Sequence, residues 1–225
     1  MTSTGPMLAP LRPLRRSQPT ESPAPTLLST PVRLPKLQRV PTSFRRLLDF
    51  DLETVAAGFA DPEWVPQTIT AWAHTWDGNH VEVATLAVAD FYNIDARRQF
   101  LAPLREAVRQ ADILTGHNIT RFDLPVLNAD LMRVGLDPLD PVLVQDTIRL
   151  PKSKGFKKGQ DVLSDVLGVQ ARKQAMNWAE WAAGYASADH ALIRDRVAGD
   201  VRQHVELRQR MLEAGWLQPP RMWKP

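Results

Sequence analysis

The chain has 225 residues, of which 44% are hydrophobic and 24% charged, with a formal net charge of +3 and no cysteine. The missing cysteine excludes a disulfide scaffold, a thiol nucleophile and a zinc ribbon. No apolar run approaches the roughly 18 residues needed to span a bilayer, and one core of ordinary size suffices for this length.

Charge is unevenly spread. Residues 1–42 hold nine prolines, six basic residues (Arg12, Arg15, Arg16, Arg33, Lys36, Arg39) and a single acid, Glu21. That leader therefore carries +5 and the remaining 183 residues carry −2. With no helical or strand periodicity it cannot bury enough apolar surface to offset the entropy of ordering, and we read it as a disordered tail ahead of one folded domain, 43–225.

From Phe44 the pattern becomes structured. Leu48, Phe50 and Leu52 alternate with Asp49, Asp51 and Glu53, so a strand here sets three carboxylates on one face and three large apolar groups on the other. Alternating runs at 69–76 and 80–86 flank a turn at Asp77-Gly78-Asn79 and predict a hairpin. A helix over 96–110 places Phe100, Leu101, Leu104 and Val108 on one face, and a short strand follows at 113–115. Another helix is expected over 121–134, ended by Gly135, then a strand at 142–145. Beyond a lysine-rich stretch the chain reads as helical at 161–167, 178–183 and 188–214, with Trp178 and Trp181 assigned to the core. The order βββαβα plus further helices predicts an α/β fold, a mixed sheet flanked by helices.

Acidic positions in three segments carry the chemistry. Asp51 and Glu53 end the first strand, Asp123 follows the strand-to-helix passage Gly116-His117-Asn118, and Asp200 lies in the closing helix. If the first strand is central, these can meet at one end of the sheet. Hard oxygen ligands of this kind select magnesium or manganese, and two such ions about 4 Å apart suit phosphodiester hydrolysis.

The stretch Phe50-Asp51-Leu52-Glu53-Thr54, the stretch from Gly116-His117-Asn118 to Phe122-Asp123, and the helical Asp200 together resemble the three exonuclease motifs of the DEDD superfamily. That superfamily has the ribonuclease H-like fold and includes the proofreading domains of DNA polymerases and several RNA-trimming enzymes. The resemblance covers residues 44–212, including the Asp146-Thr147 pair and the helix end from Leu163 to Gly168. It implies that Asp51, Glu53 and Asp200 bind the Mg²⁺ or Mn²⁺ ion that activates water, and that Asp51 and Asp123 hold a second ion. It further implies that Asn118 orients the second motif, while Phe122 and the backbone near Leu52 and Thr54 lie against the terminal nucleotide.

The third motif departs from the pattern. Family members carry a tyrosine four residues before the last aspartate or a histidine five before it, and here those positions are Arg196 and Asp195. Arginine stays protonated and cannot accept a proton from water, though a guanidinium can contact the scissile phosphate. His204, one turn past Asp200, is expected on the helix surface, and Asp49 is at most an auxiliary ligand. In the stretch 152–158, Lys154, Lys157 and Lys158 surround Phe156 in a composition suited to gripping phosphates.

The sequence thus predicts a cytoplasmic, metal-dependent 3′–5′ exonuclease acting on the single-stranded 3′ end of DNA or RNA, with no membrane association. Its rival is a catalytically weak nucleic-acid-binding or adaptor module on the same fold, with a structure-selective endonuclease as a third reading.

Overall fold

The computed structural model describes residues 46–55, 68–76, 78–150, 159–177, 179–180, 183–184 and 190–225. The leader, Lys154, Lys157, Lys158, Trp178 and Trp181 lie outside the described residues.

The alternation of the first strand sets the architecture. In β1 (Leu47–Val55) the side chains of Leu48, Phe50 and Leu52 are buried in the main core, while Asp49, Asp51 and Glu53 take the other face. β1 pairs antiparallel with β2 (Thr68–Thr75), which pairs antiparallel with β3 (Glu82–Thr85), so the expected three-strand meander is present. On its other edge β1 pairs in parallel with β4 (Ile113–Gly116), and β4 in parallel with β5 (Val142–Asp146). A sixth strand, β6 (Arg221–Trp223), closes the sheet antiparallel to β5. The sheet order is β3-β2-β1-β4-β5-β6, which places β1 in its interior. This is the mixed, helix-flanked α/β sheet that the element order implies.

Two helices cover the apolar face. α1 (Ile94–Gln110) starts at Asn93, whose side-chain oxygen accepts from the N–H groups of Asp95 and Ala96, and it buries Leu101, Leu104 and Val108. α2 (Asp123–Arg133) adds Leu124, Leu127 and Leu131 to the same core. A shorter helix, α3 (Gln160–Val166), precedes the long closing helix α4 (His190–Glu213). α4 lies across β1, β2 and β3 on the acidic face, with Ile193, Val197 and Val201 packed on Ala71 and Ala73. Among the described residues no helix is long and apolar enough to cross a membrane.

Sequence periodicity locates these elements to within two residues at most ends, but not β6. That three-residue strand is held by pairing with β5, and an Arg-Met-Trp triplet has no alternation to announce it.

One buried ion pair fastens the helical layer to the sheet. Asp130, at 0% exposure, pairs with Arg97 of α1 and accepts from the N–H of Ile69 at 3.1 Å. Removing the carboxylate would leave a buried guanidinium and a buried N–H without their partner. Asp130→Ala is therefore expected to destabilise the fold by about 3–5 kcal/mol, read as a lower midpoint in urea unfolding.

Candidate metal centre

Opposite Asp51 and Glu53 on β2 stand Ala73 and Ala71, both fully buried. These small cross-strand neighbours let α4 come down close over the acidic face of β1. The register of β1 against β2 shifts between Glu53 and Thr54, a bulge-like irregularity of the kind that turns a strand end.

α4 then meets β1 row against row. Arg196, Asp200, His204 and Arg208 recur every four residues, a rise of about 6 Å per step, while Glu53, Asp51 and Asp49 recur every two strand residues, about 6.6 Å per step. The two rows stay nearly in step. Arg196 Nε lies 3.3 Å from Glu53 Oε1 and 3.0 Å from Asp200 Oδ2. At the other end Arg208 grips Asp49 with a two-pronged contact, Nε to Oδ1 at 2.8 Å and Nη2 to Oδ2 at 3.0 Å.

Between these ends, one carboxylate oxygen from each of Asp51, Glu53 and Asp200 lies within 4.8 Å of the others. Asp123 comes up beside them from the first turn of α2. The β1–β4 ladder runs only from Leu47 to Asp49, and past its end the N–H of Leu52 donates to Asp123 Oδ1 at 3.2 Å. The turn that brings α2 there is anchored by Asp146 at the end of β5. Its carboxylate accepts from the N–H groups of Asn118 (2.7 Å), Thr120 (3.1 Å) and Ile148 (3.1 Å), and from the Thr120 hydroxyl at 2.6 Å. Asn118 itself sits at φ 66°, left-handed backbone that asparagine tolerates. Gly116 is needed at the exit from β4, since a Cβ there would collide with the Ile119 side chain and lie 2.9 Å from the Phe50 carbonyl oxygen.

The four carboxyls are short of water, and their countercharge, Arg196 and Lys173, lies on the Glu53 and Asp200 side. Burial, then repulsion from Asp200, Asp123 and Glu53, holds the Asp51 carboxyl well above the ordinary range. Burial and Asp200 push Glu53 up to about 7 against the pull of Arg196. Burial raises Asp123 to about 8, although its own N–H and that of Leu52 oppose the shift. Asp200 is also raised by burial, with Lys173 and Arg196 acting against it. Asp49 moves the other way, because His204 and Arg208 together outweigh its burial.

Several residues differ from expectation. His204 is not on the surface: it is 2% exposed, with Nε2 3.0 Å from Thr115 Oγ1 and 3.2 Å from Asp49 Oδ1. Asp49, expected as at most an auxiliary ligand, is engaged by His204 and Arg208. Two further basic groups, Arg208 and Lys173, stand beside the carboxylates. Arg208 could have been found from its four-residue phase with Asp200 and His204. Lys173, with Nζ 3.2 Å from Asp200 Oδ1 and 3.4 Å from Asp161 Oδ2, lies in a stretch without periodicity that marks no face. It gets there because its backbone passes tightly over Gly199, where a Cβ would lie 3.2 Å from Lys173 Cα. Glu206 of α4 helps to hold that stretch, accepting from the N–H groups of Gln170 and Ala171 at 2.9 and 2.8 Å.

Of the residues expected at the nucleotide, Phe122 and Thr54 are half-buried, whereas the Leu52 side chain belongs to the core. The oxygen-only donor set, drawn together against its own repulsion, fits a hard divalent cation, and Asp51, Glu53 and Asp200 are the residues that could hold one.

No protein-family model and no curated protein matches this sequence. Among solved structures, the chain is similar to the family B DNA polymerase from the hyperthermophilic archaeon Pyrobaculum calidifontis. The TM-score is 0.56 at 19% identity over 75% of this chain, which spans 24% of the polymerase chain. The likeness is one of fold.

A pH dependence follows from the raised carboxyls. Above the usual carboxylate range the unfolded chain has released protons that the folded state retains at Glu53 and Asp123. Stability without metal should therefore fall as pH rises from about 4.5 to about 8. Melting temperatures in chelator across this range check the trend, and Asp123→Asn should flatten it and raise the value at pH 8.

Proposed function

We propose that residues 43–225 form a divalent-metal-dependent 3′–5′ exonuclease that acts on single-stranded 3′ ends of DNA or RNA. The observation that carries this reading is the convergence of Asp51 and Glu53 from β1 with Asp200 from α4, and Asp123 beside them from α2. The motif resemblance and the fold likeness to a DNA polymerase support the same reading from independent directions.

In this reading Asp51, Glu53 and Asp200 hold one Mg²⁺ or Mn²⁺ ion, and Asp51 and Asp123 a second. When bound, such ions supply an activated water and stabilise charge on the departing 3′ oxygen. The protein's own groups do the rest. Asp146 and Asn118 fix the turn that delivers Phe122 and Asp123, so Asp123 need not reorganise when substrate arrives. Phe122 and the backbone around Leu52 and Thr54 border the terminal nucleotide. Arg196, beside Glu53 and Asp200, brings a permanent positive charge for the scissile phosphate, and the lysine-rich composition around Lys154, Lys157 and Lys158 suits gripping the strand.

Arg196 also favours the second reading, a nucleic-acid-binding module of low catalytic power. No group able to take a proton from water stands where the family has tyrosine, and a positioned base is worth about 10²–10⁴ in rate.

Release of mononucleotides from a labelled strand, with and without metal, separates the two. Asp51→Asn and Asp123→Asn should each lower the rate below about a tenth of wild type at saturating magnesium, because an amide keeps the shape but loses the charge. Neither should lower the melting temperature in chelator. A wild-type protein that binds the strand and releases nothing would establish the binding module instead.

A further inference from the structure

We propose that Arg196 is a built-in counter-cation that closes the Glu53–Asp200 side of the carboxylate group and must be displaced before a divalent cation enters there. This inference rests on reading the group as a metal centre.

Its basis is the difference between two arginines on one helix. Arg208 grips Asp49 with two separate nitrogens on two oxygens, at 2.8 and 3.0 Å, a fork that satisfies both partners. Arg196 reaches two carboxylates with a single nitrogen, Nε, at 3.3 Å from Glu53 and 3.0 Å from Asp200. A shared contact of that kind is weaker per carboxylate than a fork. It nevertheless spans the two elements, strand and helix, that a metal ion would bridge.

The guanidinium is also held from behind, since Nη1 donates to the Gln174 carbonyl. That bond does not involve the carboxylates, so Arg196 keeps a partner after it lets go of them. Lys173 occupies the remaining oxygen of Asp200 at 3.2 Å, and both oxygens of that carboxylate therefore face cationic nitrogens. A guanidinium cannot shed its proton, so an entering ion competes against a full charge at any working pH. A tyrosine at this position, as in the family pattern, would be neutral and would leave Glu53 and Asp200 to the ion.

The test is a calorimetric titration of the full-length protein with Mn²⁺ alone, in the absence of nucleic acid. Arg196→Gln keeps the aliphatic stem with a polar end near the position of Nε and removes the charge. It is expected to bind Mn²⁺ about ten-fold more tightly than wild type, the scale of one charge-assisted hydrogen bond removed. Arg196→Lys retains the charge and should stay nearer the wild-type affinity. Arg196→Ala makes the same comparison if the glutamine variant does not fold. Equal or weaker Mn²⁺ binding by the neutral variants, with Asp200→Asn abolishing it, would overturn the counter-cation role and leave the metal centre standing. Absence of Mn²⁺ binding in wild type and neutral variants alike would overturn both.

Discussion

The burial of four neighbouring carboxyls is the constraint around which this structure is arranged. Asp51, Glu53, Asp123 and Asp200 arrive from a strand and two helices and lose most of their water, which raises their hold on protons, and the other three carboxylates raise that of Asp51 further. A fold gains nothing from such a group by itself. Its cost is contained by the row-on-row meeting of α4 with β1, which sets a helical spacing of four against a strand spacing of two. At Asp49 the meeting is balanced, with Arg208 and His204 supplying full compensation. Two steps along, at Glu53 and Asp200, Arg196 and Lys173 compensate only in part, and the imbalance there gives the group its capacity for a cation.

Small residues make that arrangement sterically feasible. Ala71 and Ala73 let α4 approach the sheet, Gly199 lets the Lys173 backbone cross over α4, and Gly116 lets β4 leave beside Phe50. The stiffness comes from elsewhere. Asp146 gathers three N–H groups and a hydroxyl into one turn, and Asp130 joins Arg97 to the backbone of β2. Both carboxylates act as fixed acceptors for their neighbours.

Much of this was legible in the sequence where local periodicity speaks. The alternation from Leu48 to Glu53 announced both the core face and the acidic face of β1. The buried side of α4, with Ile193, Val197, Val201 and Leu207, came only with the structure, and Asp200 was legible through the motif resemblance. Contacts decided only by tertiary approach were not legible. His204 reads as a surface residue until the helix is laid over Asp49, and Lys173 until its segment is seen to cross Gly199. β6 exists only because β5 offers an edge for it. Arg196 was legible as a departure from the family motif, but its shared contact with Glu53 depends on the register between α4 and β1.

In the proposed function β1 and α4 are held in step so that Asp51, Glu53 and Asp200 can take one cation between them. The most direct measurement is a manganese anomalous difference map from crystals grown with Mn²⁺. The expected map shows a peak about 2 Å from a carboxylate oxygen of each of these three residues, with the Arg196 guanidinium moved off Glu53 and Asp200. A map with no peak among them, and Arg196 still bridging the two carboxylates, would contradict it.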